Sequence, residues 1–324
     1  MKSIVNVQWI VALAVSLCSI TAAAADVYPT KPIRLVVPFA PGGGTDVLSR
    51  IVAQHLSETL GQQVIIDNKP GAGGAVGAEI VAKAPRDGYT LYVATTATAM
   101  MPSLYKNLSF DPIGDFAPIA LIGSSPFVLI VNNAVPAKSL GELIALAKAN
   151  PGTLSYGSAG NGSVNHVGME LFKTMAGVDL LHIPYKGSSA ALSDVLGERL
   201  TMMLDTVVAS MPNVKSNRVR ALAVTSLKRS ALAPELPTVS ELGPAGFEVS
   251  PWYCIVAPTG TPDAIVRKLN AEINKVLSMP SVRERYASLG AEPTALSPEE
   301  LGRLIRAEEK KWATVVKQAN IRVD

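Results

Sequence analysis

Three times along this chain a short β-branched run meets a turn of Gly, Ser or Thr and passes directly into a segment with helical spacing. The first is "IRLVVPFAPGGGTDVLSRIVAQHLSETLG", where Val47, Leu48, Ile51, Val52 and Leu56 recur at helix spacing and Gly61 is the expected stop. The second is "QVIIDNKPGAGGAVGAEIVAK" and the third "LSYGSAGNGSVNHVGMELFKTMAG". Strand, glycine turn and helix in repeated order build a largely parallel sheet with helices on its faces, an α/β architecture. With 324 residues, 48% of them hydrophobic, the chain can bury a large core and should divide into two lobes.

The order of elements also predicts where the lobes exchange chain. In "SFDPIGDFAPIALIGSSPFVLIVNNAVPA" two apolar runs flank "GSSP"; the first leaves lobe one and the second opens lobe two. "SLGELIALAKANPG" then reads as a helix capped by Ser139. The return is "FEVSPWYCIVAPTGTP", after which the chain is mostly helical from Asp263 onward. This predicts lobe one from residues 26–122 plus 252–324, lobe two from 123–251, and a hinge of two crossing segments.

Residues 1–25 have the shape of a secretory signal: Lys2, an apolar stretch from Trp9 to Ile20, and "TAAAA" ahead of Asp26. The stretch is shorter than the roughly 20 residues that cross a bilayer, which speaks against an anchor. Leu17, just before Cys18, speaks against lipidation, since a small residue is expected there. Cys254 is then the single mature cysteine; no intrachain disulfide can form, and beside Trp252 and Tyr253 it reads as a buried small hydrophobe. A formal charge of +3 gives no basic footprint for nucleic acid.

Turns of this kind bind anions, because the following helix presents unpaired N–H groups and a partial positive charge. The dinucleotide fingerprint fails at both early turns: Gly42 and Gly44 are followed by Val47, and Gly71 and Gly73 by Val76. No triphosphate-binding loop is present either, so a smaller anion such as a carboxylate remains, against the plain reading that the glycines only make tight turns. For "GAGGAVGAE" close helix packing is the better reading. Enzymatic and metal signatures are absent: the three histidines, at 55, 166 and 182, form no metal spacing, and no nucleophile elbow occurs. His55 falls on a polar helix face and His182 in a strand. His166 follows "GSAGNGS" by about one turn, so its ring either faces a ligand or packs. Asp205, alone in the apolar "MMLDTVV", either accepts internal hydrogen bonds or reads a ligand donor. Asp46 reads as a first-turn acid, and Lys186 as a solvated lysine or a cleft charge.

Taken in order, "YPTKPIRLVVPFAPGGGTDVLSR", "DNKPGAGGAVGAE", "DGYTL", "LSYGSAGNGSVNH", "HIPYKGSSAALSDVLGERL", "VRALAVTS" and "APTGTP" resemble the extracytoplasmic solute receptors of tripartite tricarboxylate transporters, the Bug or TctC-like family. The resemblance spans the chain from Tyr28 to the terminal helices. It implies a periplasmic, two-lobed type II binding protein, or Venus flytrap, each lobe a mostly parallel sheet flanked by helices. Such a protein closes on a small carboxylate, a di- or tricarboxylate or related acid, and delivers it to membrane permease subunits; it is a monomer, uses no cofactor or metal, and is no enzyme. A periplasmic sensor feeding a membrane kinase is the alternative on the same fold. Carried onto this chain, the implied ligand residues are Phe39, Gly42, Gly43, Gly44 and Thr45 in the first loop, with Thr95 and Thr96 closing a lobe-one strand. Ser158, Ala159, Gly162, Ser163 and His166 lie in or just after the second, and Asp205 stands on the lobe-two wall. Two departures concern that wall: Thr206 follows Asp205 where an asparagine is frequent in the family, and Val164 and Asn165 stand where small hydroxyl residues are common.

Overall fold

A computed structural model describes residues 28–230, 233–321 and 323. The expected signal, residues 1–25, lies outside the described residues. Two five-stranded sheets form. The first comprises β1 (Ile33–Val37), β2 (Val64–Asn68), β3 (Thr90–Thr95), β4 (Phe116–Ser124) and β10 (Trp252–Pro258), in the order β2-β1-β3-β10-β4. The second comprises β5 (Phe127–Val131), β6 (Ser155–Ser158), β7 (Leu181–Pro184), β8 (Met202–Thr206) and β9 (Arg220–Val224), in the order β7-β6-β8-β5-β9.

The two sheets share one plan. In each, three strands pair in parallel, and the strand that arrives from the other sheet inserts antiparallel: β10 between β3 and β4, and β5 between β8 and β9. The sheets are therefore mixed while four strands of each run one way, as the repeated strand-turn-helix order requires.

Alternation along the strands explains the helices on both faces. In the first sheet Leu35, Val37, Leu91 and Val93 face α1 (Gly44–Leu60) and α9 (Asp263–Ser278), while Val36, Tyr92 and Cys254 face α2 (Ala75–Ala82) and the start of α11 (Pro298–Gln318). In the second, Leu129 and Met202 share a core with α4 (Leu140–Ala149) and α5 (Val164–Ala176). Val128 and Met203 pack with α6 (Ser188–Leu196) and α7 (Val207–Lys215). The remaining helices are α3 (Thr96–Leu104), α8 (Val239–Leu242) and α10 (Pro280–Leu289). Gly61 stops α1 in the left-handed conformation and Ser139 Oγ caps α4 by accepting the Glu142 N–H, as expected. Cys254 is fully buried, which pushes its thiol well above the ordinary value.

The two crossings run side by side, and the Ser125 N–H donates to Pro251 O at 3.2 Å. Helix α11 spans both halves: Leu301 and Ile305 lie under the first sheet, while Trp312 and Val316 enter the core of the second.

Candidate functional site

The sheets' strand ends meet across a cleft that encloses about 440 Å³ of non-atom space, open solvent included. Its polar wall is built from helix starts. Gly43 and Gly44 begin α1, Thr95 caps α3, Ser163 caps α5, Ser188 opens α6 and Thr206 caps α7. Five helix N-termini thus converge, three of them from the second half of the fold. Each presents first-turn N–H groups without an intrahelical partner and roughly half a positive charge, so two already match a guanidinium. Helices α3 and α7 are capped by Thr95 and Thr206 hydroxyls, which accept from Ala97 N and Ala209 N. Helices α1, α5 and α6 have no side-chain cap at all. An anion in the cavity would be their cap.

Among the described residues, none that carries a charge lines this cavity. The rest of its surface is apolar: Phe39 and Phe127 on opposite sides, Pro251 and Tyr253 from the second crossing, with Ala159 and Val164 beside the helix starts. The cavity thus combines helix-start amides with apolar side chains.

The two jaws touch. Ala40 N donates to Lys186 O at 3.4 Å, Ser189 Oγ to Pro41 O at 3.0 Å and Tyr105 Oη to Asn161 O at 3.1 Å. A Cβ on Gly44 would stand 2.6 Å from Thr206 Oγ1, closer than any side chain tolerates. The two halves of the fold are therefore in direct contact around the cavity. The second glycine turn takes part as well: a methyl on Gly73 would lie 2.8 Å from the Gly162 carbonyl carbon, in addition to the helix packing its sequence suggests.

The first loop is held by Asp46. Its carboxylate accepts from Gly42 N at 3.0 Å, Arg50 Nε at 2.9 Å and Asn68 Nδ2 at 2.9 Å, and Asn68 also donates to Phe39 O. Burial raises this carboxyl, but the three hydrogen bonds outweigh it and hold it below the ordinary range. Gly42 sits at φ +91°, a backbone position that excludes most side chains, so the pin and the glycine together set the loop's path.

A family model described as "Tripartite tricarboxylate transporter family receptor" (TctC) matches residues 48–321. The chain belongs to this receptor family. A protein of Pseudomonas sp. (strain P51), the UPF0065 protein in the tcbD-tcbE intergenic region, is 41% identical over 307 residues, covering 94% of this chain and 91% of that one. Among solved structures, R. palustris Rpa4515 with adipate matches with a TM-score of 0.88 at 39% identity, covering 91% of this chain and 99% of that one. MatC (Rpa3494) from Rhodopseudomonas palustris with bound malate matches at 0.86 and 34%, covering 89% and 100%. The fold is that of type II periplasmic binding proteins, and the family is one of solute receptors rather than enzymes.

Within this receptor the sequence-derived residues fall into two groups. Phe39, Gly43, Gly44, Thr45, Thr95, Ala159 and Ser163 line the cavity. Gly42, Thr96, Ser158, Gly162, His166 and Asp205 stand behind it and support the lining. Thr96 Oγ1 accepts from Trp252 N at 3.0 Å, tying α3 to the second crossing. Ser158 Oγ and His182 Nε2 share a 2.6 Å hydrogen bond. His166 turns its Nδ1 to accept the Gly162 N–H at 3.2 Å and stacks on His182 with ring centres 4.2 Å apart. Burial, with Lys173 near, pushes His166 down to about 4; burial and His166 push His182 down to about 4 as well.

Asp205 is fully buried on the face of β8 opposite to Thr206, as strand alternation dictates. One carboxylate oxygen accepts from Ser210 Oγ at 2.7 Å and the other has no hydrogen-bond partner among the described residues; burial pushes the group up to about 6, with the Ser210 hydroxyl and the adjacent Thr206 N–H opposing the shift. The cavity gains Phe127, Val164, Asn165, Ser188, Thr206, Pro251 and Tyr253 beyond the expected set. Val164, Asn165 and Thr206 stand where the sequence departs from the family pattern. Asn165 orders the second loop, accepting from Ala159 N at 3.1 Å and donating to Leu204 O at 3.2 Å.

Proposed function

We propose that this receptor captures a small aliphatic carboxylate between its jaws and delivers it to the membrane permease of a tripartite tricarboxylate transporter. The observation that carries the reading is the ring of five helix N-termini on a cavity bordered, among the described residues, by no charged side chain. Neutral amides and hydroxyls are satisfied by water in an open state and by a carboxylate in a closed one. Capture then stays reversible, because no buried cation is left unpaired on release. Relatives with bound adipate and malate support the ligand class.

In this proposal the chain is exported by a cleavable signal over residues 1–25 and works as a periplasmic monomer. The jaws are residues 26–122 plus 252–324 and residues 123–251, hinged at Ser125 and Pro251. Phe39, Gly42 to Thr45, Thr95, Thr96, Ser158, Ala159, Gly162, Ser163, His166 and Asp205 contact or support the bound acid, joined by Ser188 and Thr206.

A thermal-shift panel of mono-, di- and tricarboxylates tests the reading. An acid at a hundredfold excess over its Kd stabilises the folded state by about 2.7 kcal/mol, or roughly 5 °C for a chain of this size. A panel in which no acid moves the transition would overturn the proposal.

A further inference from the structure

We propose that Asp205 couples capture to protons: when an ionised acid enters the cleft this buried carboxyl takes up a proton, so acids bind more tightly as the medium becomes more acidic. The inference rests on the cleft reading above and names a residue that sets when the cleft holds its ligand. Asp205 is fully buried at the end of β8. Ser210 Oγ donates to one oxygen at 2.7 Å, and the other has no hydrogen-bond partner among the described residues. Ionised, such a group is a buried charge left half satisfied, which favours the protonated form.

No cation offsets that charge among the described residues that surround it. Strand β5, which sets Val128 opposite Asp205, carries no titratable side chain. On α7 the one charged residue is Lys215, exposed at the end of the helix away from β8. Asp194 of α6 is held by Tyr185 and Arg199, and Asp46 of α1 by Arg50. On α10, Arg283, Glu284 and Arg285 are exposed, and the buried Tyr286 is raised by burial alone. From β10 comes Tyr253, whose phenol is pushed above its ordinary value by burial first and by Asp205 second.

The cleft supplies the coupling. Thr206, the next residue on β8, and Tyr253 both line it. With neighbouring Cα atoms 3.8 Å apart, a carboxylate held there lies on the order of 10 Å from Asp205. Two anions at that distance, with no cation between them, oppose each other by roughly tenfold in binding. Protonation of Asp205 removes the opposition. The complex therefore holds more protons than the empty receptor, and affinity falls as pH rises through and above the value of about 6 at which the empty receptor's Asp205 titrates.

The test is calorimetric titration of the whole receptor with adipate and with malate at pH 6.5, in PIPES and in imidazole, whose different ionisation enthalpies count the protons exchanged. Uptake of about half a proton is expected, with a roughly threefold loss of affinity between pH 6.5 and pH 8. His166 and His182, at about 4, exchange none at this pH. Asp205→Asn keeps the shape and stays neutral, so its heats should agree in the two buffers and its affinity should no longer vary over that range. Ser210→Ala removes the side-chain bond to the ionised carboxylate and should move the uptake to higher pH. Equal heats in the two buffers for the natural chain, uptake that persists in Asp205→Asn, or uptake that Ser210→Ala leaves at the same pH would overturn the proposal and leave the cleft reading standing. Absence of any acid binding would overturn both.

Discussion

Replacing Gly44 by alanine separates closing from folding. A Cβ built on Gly44 lies 2.6 Å from Thr206 Oγ1, 2.9 Å from its Cγ2 and 3.0 Å from its Cβ, whereas ordinary contact begins near 3.4 Å. Thr206 cannot rotate away freely, because its hydroxyl caps α7 by accepting from Ala209 N at 3.3 Å. The jaws must therefore part by about 1 Å, and overpacking of this size costs about 1–3 kcal/mol. That penalty exists only in the closed state and should weaken acid binding by roughly 5- to 150-fold. Open, the methyl touches nothing in the other jaw, and alanine is the better residue in the first turn of a helix. The empty protein should then unfold at the same temperature or slightly higher. Calorimetric titration with adipate or malate, alongside calorimetric unfolding, reads both quantities. A Thr206→Ala background should recover much of the loss, giving a coupling term of opposite sign to the single effects. Unaltered affinity in Gly44→Ala would refute the reasoning, as would a loss that Thr206→Ala fails to reduce.

Further outcomes are expected at the supporting residues. Asp46→Asn should destabilise the fold by about 1–3 kcal/mol in urea titrations, because an amide cannot accept all the N–H donors that now converge on the carboxylate. The two stacked histidines have folded values of about 4 against an ordinary 6.5, so unfolded chain binds their protons more readily. Stability should therefore fall as pH drops from about 6.5 to about 4, and His166→Gln should flatten that slope of melting temperature against pH. Asp205 has the opposite sign: with a folded value of about 6 above an ordinary 3.8, it favours the fold at low pH and loses that contribution as pH rises through 6. Asp205→Asn should thus raise stability at pH 7 to 8, by up to roughly 3 kcal/mol, and a lower melting temperature there would contradict this. Tyr105→Phe removes the 3.1 Å bond to Asn161 O across the jaws and should weaken acid binding by roughly 2- to 10-fold with the empty protein's unfolding unchanged.

The sequence makes the fold readable wherever a feature is local. Helix α1 shows its spacing and its Gly61 stop, β1 and β3 their apolar runs, and the two crossings their position as β-rich stretches flanked by "GSSP" and "SPWY". The two glycine turns that open α1 and α5 are equally plain, since backbone exposure at a helix start has a compositional mark. The other starts carry none. Ser188 and Thr206 belong to helices whose openings look ordinary, and they reach the cavity only because β6, β8 and their following helices point the same way. Phe127, Pro251 and Tyr253 reach it because two crossings far apart in sequence lie side by side. The direction of a side chain was harder still to anticipate. His166 turns to the Gly162 N–H and to His182, a neighbour supplied by the pairing of β6 with β7. The order of elements likewise did not disclose that one strand in each sheet runs against the rest, because that follows from which sheet the chain arrives from.

The central claim is that helix N-termini, without a charged side chain, hold a carboxylate in this cleft. The most direct measurement is paired calorimetric titration with an acid that raises the unfolding temperature, adipate or malate first, and with its neutral diamide of the same shape. The acid should bind one to one and the diamide should give no measurable heat. Equal binding of the two would mean that the cleft recognises shape and hydrocarbon rather than charge, and the claim would fail.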